Sequence, residues 1–215
     1  MLSKSDYLIN IAATCVGTRA LGPGLRSVVW VQGCPFRCSG CLSPQWIPIR
    51  NARLVPIDIL VEELLINPLV DGLTLSGGEP FLQAAALSEL VRQARKQREL
   101  SLICFTGYQL ADLRNMTAVK GVEDLLSMID VLIDGPYIAE LDDNRGMRGS
   151  SNQVIHHLTD RLKDYNFETQ PRQAEIRISD GDMLFVGVPP QGIIPQVDQE
   201  VRLNSSRMKV LYEWT

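Results

Sequence analysis

The sequence predicts an α/β fold built on a parallel sheet, with a ligand site beyond the C-terminal ends of its strands. Three observations predict it. Short β-branched runs alternate with amphipathic segments between residues 27 and 137, and strict alternation implies crossover connections between parallel strands. Two motifs, "GCPFRCSGC" at 33–41 and "GGEP" at 77–80, each begin where a strand should end, so both belong to the end of the sheet where α/β folds hold ligands. Beyond about residue 153 the pattern changes, and "AEIRISDGDMLFVGV" at 174–188 alternates with period two around Asp180 and Gly181, a hairpin signal.

The elements follow in order. "SVVWVQ" (27–32) is apolar, β-branched and stopped by a glycine, which reads as a buried strand. "PIDILVEELL" (56–65) carries Pro56 at a helix start and apolar residues at helical spacing. "GLTLS" (72–76) is a second strand, and in the segment that follows, Leu87, Leu90, Val91 and Ala94 share one helical face. "LSLICFT" (100–106) and "DVLIDGPY" (130–137) are further strands, with a short helix around 121–128 between them. "PPQGIIPQ" (189–196) reads as a linker into a short tail.

Composition narrows the function. A chain of 215 residues, 45% hydrophobic and 21% charged, can bury a sizeable core, which suggests one main domain with an appendage. A net charge of -4 argues against a nucleic-acid surface, and the basic run "RQARKQR" (92–98) sits where a helix end would accept positive charge. The N-terminal apolar run is broken by Asn10, so neither a signal peptide nor a membrane span is expected. Five cysteines, an odd number, suit a reducing cytoplasm better than a disulfide framework.

Three of those cysteines, Cys34, Cys38 and Cys41, fall within eight positions, separated by turn and surface residues. Soft thiolates on one loop favour zinc or an iron-sulfur centre. A structural zinc site wants four ligands, and the histidines, His156 and His157, are adjacent and over a hundred residues away. An iron-sulfur cube held by three cysteines leaves one iron open to substrate or cofactor; zinc and unliganded core thiols are the lesser alternatives.

The cysteine loop after a strand, followed one βα unit later by "GGEP", resembles the radical S-adenosylmethionine enzymes. "GPGLRSVVWVQGCPFRC" is similar to the glycyl-radical-enzyme activases, including pyruvate formate-lyase activase. "FTGY" (105–108), "IDGPY" (133–137) and "RGSSNQ" (148–153) look more like the anaerobic ribonucleotide-reductase activating enzymes. The resemblance spans residues 22–153 and differs from the superfamily in two ways: Gly40 stands where most members carry an aromatic residue, a glycine the ribonucleotide-reductase activases share, and the chain beyond about 160 is longer than in the short activases. It implies a partial (βα) barrel over residues 1–160 and a small C-terminal β-hairpin appendage within 161–215. It implies a [4Fe-4S] cluster on Cys34, Cys38 and Cys41. S-adenosylmethionine would be held by Gly77, Gly78 and Glu79, with Gly40 and Leu42 near its adenine, and reductive cleavage would give a 5'-deoxyadenosyl radical. The implied partners are a glycyl-radical enzyme, such as an anaerobic ribonucleotide reductase, and an electron donor such as flavodoxin or ferredoxin. Two other functions fit the same motifs: a maturase acting on a peptide or small molecule, and an electron-transfer or zinc-binding module.

Elsewhere, Cys104 reads as a core thiol and Cys15 as a surface thiol without function. Asp134 reads as a capping residue or a cofactor contact, and Arg148, Ser150, Ser151 and Asn152 as an ordered polar loop or a contact surface. His156 and His157 read as helix-surface residues. The hairpin at 174–188 is expected either to dock a partner or to cap the core.

Overall fold

A computed structural model describes residues 8–179, 182–204 and 209–210. Seven strands form the main sheet: β1 (Leu8–Thr18), β2 (Arg26–Val31), β3 (Arg53–Pro56), β4 (Gly72–Gly77), β5 (Ser101–Phe105), β6 (Val131–Asp134) and β7 (Val154–His157), in the order β3-β1-β2-β4-β5-β6-β7. The four strands read from the sequence, β2, β4, β5 and β6, are mutually parallel. The flanking strands correct the all-parallel expectation: β1 is antiparallel to β2 and β3, and β7 to β6. Residues 19–25 join β1 to β2 and residues 135–153 join β6 to β7, in neither case through a crossover α-helix. Among the described residues the edges β3 and β7 do not pair with each other, and the sheet stays open.

The strands are buried on both faces because each face is covered. On β2, Val29 and Val31 point into one core with Leu73 and Leu75 of β4. Helix α1 (Ile57–Leu65) and helix α2 (Ala84–Gln97) cover that side, and the expected face of Leu87, Leu90, Val91 and Ala94 is fully buried there. The short helices α3 (Leu110–Asn115) and α4 (Val122–Leu126) complete the layer. The alternate residues Val28, Trp30, Ile103, Val131 and Ile133 point the other way, against Met147, Phe167, Val186 and Val188. That second cover comes from the C-terminal region. Strands β8 (Ala174–Ser179) and β9 (Asp182–Gly187) pair antiparallel, and β10 (Lys209–Val210) adds to β9. The hairpin therefore caps the core, while its turn at Asp180 and Gly181 lies outside the described residues.

Several placements correct the sequence reading. His156 and His157 stand on β7, not a helix. Cys15 is buried in the second core, not on the surface. Residues 193–196 open helix α5 (Ile193–Asn204) rather than continuing as a linker. The basic run at the end of α2 is less solvated than expected: Arg98 donates to the carbonyls of Asn67 and Val70, and Arg95 pairs with buried Asp130 at 3.0 Å. Arg26, from the "GLR" segment, is fully buried at the N-terminal end of the parallel strands, donating to Thr74 Oγ1 and Ser101 Oγ at 2.8 Å each. Burial draws its guanidinium down to about 10, against the opposing charges of Asp71 and Asp130.

Candidate metal centre and cofactor pocket

The parallel strands end on one side of the sheet, and their turns build a single pocket there. The cysteine loop leaves β2 through Gly33, whose φ of +96° is a conformation glycine adopts freely. The loop is pinned at its base, since Gly33 N–H donates to Trp46 O and Cys34 N–H to Ile47 O at 2.8 and 3.0 Å. One turn within it brings Cys41 N–H to Cys38 O. Cys34, Cys38 and Cys41 all line the pocket, together with Gly77, Gly78 and Leu42. Burial pushes the Cys34 thiol up to about 11 against a hydrogen bond from Phe36, with smaller upward contributions from Glu79 and the other two cysteines. Burial raises Cys41 as well. Burial thus holds the protons on Cys34 and Cys41, and a metal cation would have to displace them to bind the thiolates.

The "GGEP" turn is fastened directly to the cysteine loop. Gly78 N–H donates to Val31 O at 2.7 Å and Glu79 N–H to Gly33 O at 2.8 Å. A Cβ on Gly78 would lie 2.2 Å from Gly33 O, and one on Gly77 would lie 2.4 Å from Val31 N. The missing side chains thus make room for the neighbouring backbone, a requirement that precedes any ligand. The Glu79 side chain is completely buried; it accepts from Phe81 N–H and Thr106 Oγ1 at 2.9 Å each and from Gly107 N–H at 2.8 Å. Desolvation raises its carboxyl to about 7, against the lowering effect of those three hydrogen bonds. Glu79 therefore ties the turn after β4 to the turn after β5.

The remaining motifs divide between wall and framework. Gly107 of "FTGY" makes room for Phe36, whose ring would lie 2.5 Å from a Cβ there, and Phe36 meets Tyr108 edge-on at 4.9 Å. Asp134 caps α3 through Leu110 N–H and faces His156 Nε2 at 2.9 Å, which is the capping role. Arg148 pairs with Asp143, Ser150 Oγ accepts from Ile138 N–H, and Asn152 Nδ2 donates to Pro136 O, which makes "RGSSNQ" an ordered polar loop. Cys104 is fully buried in the helix-side core, as a core thiol should be.

Sequence reasoning missed four residues of the pocket wall. Tyr137 lines the pocket, and its ring lies between two bare backbones: a Cβ on Gly40 would be 3.5 Å from Cε1, and one on Gly149 would be 2.9 Å from Cδ2. The signal was present as an aromatic residue after the strand "LIDG" together with two isolated glycines, but nothing local pairs them. Phe185, Val188 and Ile194 also line the pocket, from 144 or more positions beyond Cys41.

The family profile of the 4Fe-4S single cluster domain matches residues 20–156. The chain is 34% identical over 148 residues to the anaerobic ribonucleoside-triphosphate reductase-activating protein of Vibrio cholerae serotype O1, covering 64% of this chain and 91% of that protein. It belongs to the radical S-adenosylmethionine activases. A protein of the same name from Enterobacteria phage T4 is 33% identical over 145 residues, covering 65% of this chain and 88% of that protein. The pyruvate formate-lyase-activating enzyme of Staphylococcus aureus is 40% identical over 152 residues, which are 66% of this chain and 59% of that enzyme.

The cofactors of this family are a [4Fe-4S] cluster and S-adenosylmethionine, and the donor set fits them. Among the described residues no three Cys, His, Asp or Glu side chains converge on one metal ion. Three thiols from one loop lining one cavity suit a multi-iron centre, in which each thiolate would meet its own iron. No helix among the described residues is long and apolar enough to cross a membrane.

Proposed function

We propose that this chain generates a glycyl radical on a separate glycyl-radical enzyme. The observation that carries the reading is the convergence of Cys34, Cys38 and Cys41 with the Gly77–Gly78 turn in one pocket at the C-terminal end of parallel strands. The three thiolates ligate the cluster. Gly77, Gly78 and Glu79 face the amino-acid part of S-adenosylmethionine, and Leu42 and Tyr137 form the wall toward its adenine, with Gly40 behind the Tyr137 ring. When bound and reduced, the cluster supplies the electron that cleaves S-adenosylmethionine to methionine and the radical that takes hydrogen from a glycine Cα. The chain's own work is to position these groups and to exclude water from them, and Trp30, Trp46 and Phe105 give the pocket an apolar floor for that purpose.

An anaerobic ribonucleotide reductase is the preferred partner, because the relatives that align over most of their own length carry that name. The open sheet is a partial (βα) barrel, residues 161–215 are its appendage, a flavodoxin- or ferredoxin-type donor reduces the cluster, and the site of action is the cytoplasm.

Mixing the reduced, cluster-loaded protein with S-adenosylmethionine and the host's glycyl-radical enzymes tests the reading. A doublet electron-paramagnetic signal should appear on the partner. Consumption of a peptide or metabolite with no radical on any such partner would replace this function with a maturase.

A further inference from the structure

We propose that residues 185–195, with Leu42, form the substrate-side wall of the cofactor pocket and continue outward as an uncharged trough that guides an extended, glycine-bearing loop of the protein substrate to the cluster. The inference rests on the function proposed above. The family profile ends at residue 156, so this wall belongs to the part of the chain beyond it. Even so, Phe185, Gly187, Val188, Pro189 and Ile194 share one pocket with the three cysteines. On the outer side of Leu42, Pro189 and Ile194 a second cavity opens, extended by Pro190, Gly192 and Pro195. Leu42, Pro189 and Ile194 line both cavities, which places the outer one directly beside the thiol pocket, on the path proposed from surface to thiols.

The path has fixed walls. Gln191 N–H donates to Asn144 Oδ1 and its Nε2 to Asp142 O, both at 2.9 Å. Arg172 donates to the carbonyls of Arg148 and Gly149 at 2.8 and 3.1 Å, holding the neighbouring loop. At the inner end Gly187, with φ of +133°, lets the hairpin close against Gln173, whose carbonyl would lie 2.2 Å from a Cβ there.

Charge selects the occupant. Asp142 is the one ionisable side chain among the described residues lining the outer cavity, and Arg172, only 2% exposed, neutralises it at 2.8 Å. No cation remains to hold a phosphate or carboxylate, and no anion to hold a basic segment. Proline, leucine and isoleucine surfaces instead favour a neutral, narrow chain that exchanges water for apolar contact. Gly192 adds room, since a Cβ there would meet nothing within 4 Å.

The test titrates the cluster-loaded, isotope-labelled full chain, with S-adenosylmethionine bound, with the blocked peptide Ala-Ala-Val-Gly-Val-Ala-Ala and with versions carrying Glu or Lys at both ends. The neutral peptide should shift the amide resonances of Leu42, Gln191, Gly192 and Ile194 saturably, and both charged versions should bind at least tenfold more weakly. Pro195→Glu and Pro190→Lys, of opposite charge, should each weaken the neutral peptide at least tenfold more than they weaken the cofactor. Shifts confined to the exposed Ile176–Ile178 edge of the hairpin, or equal losses of peptide and cofactor, would overturn the trough. A glycyl radical formed on the partner with unchanged KM in both variants would sink the trough and leave the function standing. Peptide shifts at the trough without any glycyl radical from the unmodified protein would sink the function and leave a peptide site.

Discussion

Glu79 is a carboxyl sealed among three hydrogen-bond donors with no cation against it. Its folded-state value of about 7 lies above the ordinary 4.5. The fold therefore holds the proton more tightly than the unfolded chain does, and the resulting stability is complete below about pH 4.5 and lost as pH rises through 7. At 1.36 kcal/mol per unit the gap amounts to about 3 kcal/mol. Urea titrations of the metal-free protein between these limits should show stability falling with pH, and Glu79→Gln should flatten that slope; an unchanged slope would remove Glu79 as its source. The Cys34 thiol, held up to about 11 by burial, has the opposite bearing on assembly: thiols must lose protons to bind iron, so resistance of the cluster to a chelator should increase from pH 6.5 to 8.5. At this same scale the sequence was most informative about the thiols, because the spacing that brings Cys34, Cys38 and Cys41 to one pocket is a local property of one loop. Tyr137 was not legible as a pocket wall, because its place depends on Gly40 and Gly149 from two other loops.

The turn after β4 shows how two motifs become one element. Gly78 sits against Gly33 O so closely that a methyl group has no room, and overpacking of this kind costs about 1–3 kcal/mol. Gly78→Ala should therefore displace the start of the cysteine loop and lower iron per chain on reconstitution; full iron content with unchanged stability would show that the turn is looser than described. The four parallel strands and α1 and α2 were readable because their apolar spacing is their own. Strands β1, β3 and β7 were not: β3 and β7 are short strands at the sheet's edges, and on interior β1 the exposed Leu8 precedes the buried Ile9 and the pattern is broken by two irregularities in pairing. Helix α5 was hidden by Pro195, which a first helical turn tolerates.

Across the whole molecule, Arg172 joins parts of the chain that are remote in sequence. Its nearly inaccessible guanidinium meets Asp142 and the carbonyls of the "RGSSNQ" loop. Removing one partner of a buried pair leaves an uncompensated charge, at a cost of about 3–5 kcal/mol. Arg172→Met should lower the thermal midpoint sharply, and adding Asp142→Leu should recover much of the loss; equal midpoints for the single variant and the unmodified protein would mean that the pair contributes nothing.

Trp30 and Trp46 stand with ring centres 5.8 Å apart in the wall that they share with the three cysteines. Iron-sulfur centres absorb broadly across the wavelengths at which indole emits. The protein thus carries its own optical gauge: emission should be quenched as iron enters and return as a chelator or oxygen strips it out. The gauge needs no label and can be followed in a sealed cuvette, so the state of the metal centre can be read continuously while substrates are added.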